Sequence, residues 1–262
     1  MKFFLPSNKN YKYIKNFFKN IKLNNLIKLS EKNKPQVNEM IQEKLYKPDL
    51  KDLYFLYKLI TLNKRITVLE IGCGWSSVII RKALDVNKKK YLNKIKNLRR
   101  QNHFKCISVD NEKRWISNTK KLLKKFNINY TNKDFFFSNC EMTEIKGKYA
   151  TRFKKFPVIS PDLIYLDGPD QFNIKGKIRN FTISHKDMMP MVSDILSIEY
   201  FLTPGTIILV DGRTANSRFL RDNLKRNWNY KYLDNLDLNI FFLNEKPLGE
   251  YNKRQLKFYK FI

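Results

Sequence analysis

Four carboxylates and two glycines fall where this sequence passes from an apolar run into a turn. The first group is Glu70-Ile71-Gly72-Cys73-Gly74, which ends the run Ile66 to Ile71 and precedes a helical pattern starting at Ser76. Glycines at that point permit a tight turn and close backbone approach, which a nucleotide-type ligand requires. A plain strand-to-helix turn needs neither two glycines at this spacing nor a preceding acid. Asp110 closes the run Phe104 to Val109, Asp167 lies in Leu166-Asp167-Gly168-Pro169-Asp170, and Asp211 lies in Val210-Asp211-Gly212-Arg213. In open parallel sheets, ligands bind beyond the carboxyl ends of the strands, so all four acids would meet at one crevice.

The elements that must position them follow from periodicity. After about residue 64 the pattern alternates between strands and helices, which predicts an α/β fold: a three-layer αβα sandwich around a mostly parallel sheet. Strands are expected at Ile66 to Ile71, Phe104 to Val109, Phe135 to Phe137, Leu163 to Leu166, Thr206 to Val210 and Asn239 to Leu243. Helices are expected from Ser76 to about Leu84, from Glu112 to Phe126 and from about Lys186 to Phe201. Residues 1–64 read as a helical N-terminal extension packing on a Rossmann-like domain of residues 65–262. Its helices are Tyr11 to Ile21, a second one carrying Val37, Met40, Ile41 and Leu45, and a third from Leu50 to about Leu62 capped by Asp49. Two stretches read as insertions, the basic Asn87 to His103 and the long connection Gly168 to His185. The second leaves the carboxyl end of a strand and is expected to act as a lid over the acceptor.

The ligand can be narrowed. A dinucleotide fingerprint would place a third glycine at position 77, where Ser77 stands, and its acid about 20 residues on, whereas Asp110 is 36 residues beyond Gly74. The order of elements and the group Glu70, Gly72, Gly74 and Ser76 resemble class I S-adenosylmethionine-dependent methyltransferases, whose first motif is an acid followed by Gly-x-Gly. The resemblance spans about residues 66 to 243. It implies S-adenosylmethionine as cofactor, with Glu70, Gly72, Gly74 and Trp75 at the first turn, Glu70 facing the ammonium and Asp110 holding the ribose diol. It also implies an adenine contact after the third strand, at Asn139. Asp110 read alone could instead cap the following helix.

On the acceptor side, methyl transfer is an in-line displacement, so the protein must align an oxygen or nitrogen and take up its proton. Asp167 is the first candidate for that role, Asp211 the second, and His185, behind the expected lid, the third. Arg213 and Arg179 are candidates for binding the acceptor, because a guanidinium forks onto carboxylate or phosphate. A small, anionic acceptor follows from them, with Lys175, Lys177, Lys186, Arg218 and Arg221 on the same face. Catechol-type methyltransferases, similar in this arrangement, hold a divalent ion between a strand-four aspartate and an Asp-Asn pair. Here the pair is Asp211-Gly212, so Asp167 and Asp211 offer a hard cation only two carboxylates and no metal is predicted. The Asn/Asp-Pro-Pro-aromatic motif of base-modifying amino-methyltransferases and the Pro-Cys nucleophile of cytosine enzymes are both absent.

Composition bounds the rest. The 262 residues, 42% hydrophobic and 14% aromatic, can build one sizeable core. Lys and Arg number 52 against 24 acids, a formal charge of +28. That would suit nucleic acid, and an RNA-binding methyltransferase or basic binding module using Asn87 to His103 is the alternative reading. The cations are scattered through a chain rich in Lys, Asn, Ile, Phe and Tyr, as codon bias in an AT-rich genome produces, and form no dense stripe. Three cysteines without metal spacing suit a reducing cytoplasm. The N-terminus lacks the sustained apolar segment of a signal peptide, and no run is long enough to span a bilayer.

Overall fold

A computed structural model describes residues 3–31, 47–185 and 187–261 of the chain. The expected helix with Val37, Met40, Ile41 and Leu45, and also Lys186, lie outside the described residues. Three helices precede the sheet: α1 (Tyr11–Asn20), α2 (Asn24–Ser30) and α3 (Leu50–Leu62). Asp49 caps α3 as its sequence position suggests, accepting from Lys51 N at 2.7 Å and Asp52 N at 3.4 Å. Then follow β1 (Thr67–Ile71), α4 (Trp75–Tyr91), β2 (Lys105–Asp110), α5 (Lys113–Lys125) and β3 (Phe135–Phe137). The second half comprises β4 (Cys140–Ile145), β5 (Lys148–Phe153), β6 (Leu163–Leu166), β7 (Ile174–Lys175), α6 (Asp194–Ile198), β8 (Ile207–Asp211), α7 (Thr214–Asn223), β9 (Trp228–Leu233), β10 (Leu238–Leu243) and α8 (Gly249–Tyr259).

Seven strands form the main sheet in the order β3-β2-β1-β6-β8-β10-β9. β1, β2, β3, β6 and β8 pair in parallel, and β10 runs antiparallel to β8 and β9. The central strands β1 and β6 are buried along their whole length, as expected for a sheet covered on both faces. Alternation then sorts their side chains. Val68, Leu163 and Tyr165 join the core made with α1, α3, α4 and α8, while Leu69, Ile71, Ile164 and Leu166 join the core on the other face. Glu70 is two residues beyond Val68 and turns to the α4 side.

Three expectations are corrected. Helix α4 continues to Tyr91, so the basic insertion begins on a helix. Asn87 anchors it, donating to Ile60 O at 3.1 Å and Arg65 O at 2.8 Å from a position 1% exposed. The Lys186 to Phe201 helix is reduced to α6 and one short 3-10 turn at Glu199–Phe201, because Pro190 and the pairing of Thr151 with Val192 hold the preceding residues extended. The second face carries, beside α6 and α7, a small sheet of order β5-β4-β7. It absorbs part of the Gly168 to His185 connection, since Ile174 and Lys175 pair with Cys140 and Glu141. No helix among the described residues is long and apolar enough to cross a membrane.

Candidate functional site

The turn after β1 is set by contact with another turn. Gly72 has φ +85° and donates to Val109 O at 2.8 Å, and a Cβ on it would lie 2.5 Å from Gly168 N. The connection leaving β6 therefore crosses directly over this glycine. Glu70 has no exposed surface and does not border the cavity that the turn opens onto. Its carboxylate accepts from Ser76 Oγ at 2.7 Å, Ser77 Oγ at 2.6 Å and Ser108 Oγ, with the Arg81 guanidinium 3.8 Å away. Glu70 thus braces β1 and β2 against the first turn of α4. The ammonium-facing position expected of it is occupied by hydroxyls of this chain.

A cavity of about 810 Å³ opens beyond the carboxyl ends of β1, β2, β6 and β8. Among the described residues six aspartates line it, Asp49, Asp52, Asp110, Asp167, Asp170 and Asp211, against two cations, Lys47 and Arg213. Asp110 is 2% exposed and accepts from Cys73 N at 3.0 Å and Glu112 N at 2.9 Å. Burial pushes its carboxyl up to about 6 against those two hydrogen bonds. The cap of α5 is not Asp110 but Glu112, which accepts from Arg114 N at 3.3 Å.

Asp167 and Asp211 stand at the ends of the adjacent strands β6 and β8. Enclosure by the walls and then the Asp211 carboxylate push Asp167 up to about 7, with Arg213 opposing. Its side chain opens into the cavity, 52% exposed, so water there tempers the shift. Burial likewise raises Asp211, whose Oδ2 accepts a short hydrogen bond from the Tyr165 hydroxyl that acts in the opposite direction. Asp52 reaches the cavity from α3 and is pushed up to about 8 by burial, then by Asp211 and Asp49. Asp167 and Asp211 titrate as a pair, so their protons belong to both.

Trp75 lines the cavity at the start of α4, its ring edge-to-face with Phe126 at 6.4 Å. Arg213 lines it too, but its Nη2 donates to Asp167 O at 2.8 Å and Pro169 O at 3.2 Å, with Nε 3.7 Å from Asp167 Oδ1. It ties the β8 turn to the β6 turn. Besides Glu70, three expected residues are not brought to the cavity. Asn139 is exposed between β3 and β4, where its carbonyl accepts from Lys154 N at 2.8 Å. His185 is 62% exposed beside Asp187, and Arg179 is exposed in the Ile178 to Phe181 turn. Pairing of β7 with β4 draws this part of the connection away from the crevice, leaving Asp170, Gln171 and Phe172 as its cavity-lining residues.

Sequence reasoning missed Asp52, Tyr165, Trp115, Asp170 and Phe172, which border the cavity. Trp115 Nε1 donates to Asp170 Oδ2 at 3.1 Å, and the Asn111 side chain bonds both Asp170 N and Asp170 O, at 2.8 and 3.0 Å. The signal for Tyr165 was its place two residues before Asp167, on the face turned to α3. Asp52 gave none beyond lying in the first turn of a helix. Among the described residues no group of three or more His, Cys, Asp or Glu side chains is arranged to hold a metal ion.

No protein-family model matches the chain, and no curated protein matches it. Among solved structures, the chain is similar to the SAH-bound Podospora anserina methyltransferase PaMTH1, at 12% identity over 92% of this chain and 99% of that one, TM-score 0.45. It is similar to the O-methyltransferase from Bacillus cereus in complex with SAH, at 11% identity over 89% and 97%, TM-score 0.44. A third similarity is to cofactor-bound Rv0187 from MTB, at 10% identity over 92% and 100%, TM-score 0.43.

Proposed function

We propose that this protein binds S-adenosylmethionine in the aspartate-lined cavity and transfers its methyl group to a small-molecule acceptor. The observation that carries the reading is the acidic lining of the cavity, six aspartates to two cations among its described residues, around a glycine turn at the end of a parallel strand. A ligand bearing a sulfonium and an ammonium is favoured there, whereas the pyrophosphate of a dinucleotide would face Asp110, Asp167 and Asp170. The residues fit the cofactor part by part. Asp110 accepts from the ribose hydroxyls, Trp115 and Phe172 supply flat apolar surface for the purine, and the Gly72 to Ser76 backbone borders the amino-acid end.

Bound there, the cofactor supplies an electrophilic methyl group. The chain's own residues then align the acceptor and take its proton. Asp167 is the base, supported by Asp211, which Tyr165 holds in place. Arg213 Nη2 is engaged on two carbonyls while its Nη1 has no partner among the described residues, so one donor is left for an acceptor oxygen. The acid-lined half between α3 and β8 otherwise favours a neutral or cationic acceptor over the anionic one that Arg213 and Arg179 suggest in sequence. The same acids oppose an RNA phosphate, which weighs against the nucleic-acid alternative.

Thermal unfolding with S-adenosylmethionine, S-adenosylhomocysteine, NAD and decarboxylated S-adenosylmethionine tests the reading. A ligand at 100 times its dissociation constant adds about 2.7 kcal/mol of stability. The first two ligands are expected to raise the melting temperature and Asp110→Ala to abolish the rise. Stabilisation by NAD alone would sink the proposal.

A further inference from the structure

At the opposite end of the sheet, by the amino ends of β1 and β6, a second cavity of about 870 Å³ lies between the segment preceding β2, the loop Phe156 to Ser160 and the turn after α6. Its walls are mainly apolar, with Leu98, Phe156, Ile159, Ile198 and Leu202 among them, and no acid among the described residues lines it. Val158 and Phe201 stand at its edge, 102% and 79% exposed. Tyr200, next to Phe201, is 72% exposed. Arg99, also lining the cavity, lies over the ring of Tyr251, itself 57% exposed, at 5.4 Å. These four are the most exposed large apolar side chains among the described residues. They gather on one face, where soluble proteins ordinarily scatter such residues singly.

Cations border the apolar tips, and the exposed Glu250 beside Tyr251 is paired with Lys253 at 3.2 Å. Arg99 is exposed, Arg100 lines the cavity with its Nη1 donating to Ser160 O, and Lys105 is the exposed register partner of Thr67, which lines the cavity. Projecting aromatic and aliphatic tips among lysines and arginines, above an acid-free apolar groove, have the pattern of a surface that rests at a bilayer interface. There the tips enter the acyl boundary and the cations meet anionic headgroups. A second copy of a chain carrying +28 would instead set cation against cation.

We infer that this face is a peripheral docking surface for an anionic lipid bilayer. It turns the acidic cavity at the other end of the strands away from the membrane. The excess of basic residues then has a physical partner, and the inference stands independently of the reaction proposed above.

Co-sedimentation of the full chain with vesicles tests it. The protein is expected to sediment with vesicles containing phosphatidylglycerol, to stay in solution with pure phosphatidylcholine, and to be released as salt is raised. Val158→Ser combined with Phe201→Ser should weaken partitioning about tenfold. Arg99→Ser combined with Lys105→Ser should weaken it by a similar factor and reduce the salt dependence. Melting temperature, measured on each variant, should stay at the wild-type value, because all four side chains are exposed. Equal binding to neutral and anionic vesicles, no binding to either, or full binding by the Val158/Phe201 variant overturns the proposal. So does a dimer in sedimentation velocity that the same variant dissociates, which would make the face an interface between copies.

Discussion

Gly72 and Gly168 cross with no room for a side chain on either. A Cβ on Gly72 would lie 2.5 Å from Gly168 N, and one on Gly168 would lie 2.5 Å from Gly72 Cα. The turns leaving β1 and β6 are thereby locked together at the floor of the cavity. Gly168→Ala should cost about 1–3 kcal/mol by overpacking. Gly72→Ala should cost more, since φ +85° adds about 1–2 kcal/mol for a side-chain residue. Gly147→Ala, at φ +75° with nothing within 4 Å, should show only the conformational part. Urea unfolding of the three variants checks this order, and equal losses at Gly147 and Gly168 would dismiss the crossing as the cause.

Asp52 links α3 to the cavity through its titration. Its folded value of about 8 stands above the ordinary 3.8, so the folded chain holds a proton that the unfolded chain releases. Stability from this group is present at low pH and is lost as pH rises from about 4 to about 8. Asp52→Asn keeps the shape without the charge. Its melting temperature relative to wild type should be near zero difference at pH 4 and rise progressively to pH 9; a constant offset would show that Asp52 does not titrate in this window.

Tyr165 acts on the reaction through Asp211. Removing its hydroxyl withdraws the hydrogen bond that lowers the Asp211 carboxyl, so Asp211 rises further and keeps its proton while Asp167 ionises, which removes the neighbouring charge that pushes Asp167 up. Transfer from a tritiated methyl donor into a low-molecular-weight extract should show an acid limb near pH 7 in the wild type, following Asp167. That limb should move to lower pH in Tyr165→Phe. A lower rate at every pH with the limb unmoved would reduce Tyr165 to a packing role.

Asp167→Asn should lower transfer by about 100-fold or more, the usual worth of a positioned base. His185→Ala and Arg179→Ala should leave it within about twofold, because both side chains are exposed outside the cavity. The same labelled-transfer assay separates the three, and a large loss in His185→Ala would return that residue to the mechanism.

The parallel order of strands was legible because β1, β6 and β8 are buried on both faces and must be written in nearly unbroken apolar residues. The small sheet was not. β4 carries Glu141, Thr143 and Glu144, and its hairpin with β5 turns on Lys146-Gly147, so one face is wet and the apolar signal is halved. The site divides the same way. Asp110, Asp167 and Asp211 could be found because each directly ends an apolar strand. Asp52 could not, because a helix face becomes a cavity wall only when another element leaves it uncovered.

By itself the sequence determined that a glycine turn and three strand-end aspartates would share one end of a parallel sheet, since strand direction and burial follow from local pattern. Tertiary structure decided which neighbouring polar groups they meet. Glu70 is enclosed by Ser76, Ser77 and Ser108, and Arg213 Nη2 is held by the carbonyls of Asp167 and Pro169. A buried carboxylate or guanidinium must satisfy its hydrogen bonds with whatever lies nearest in space, and sequence distance does not report that.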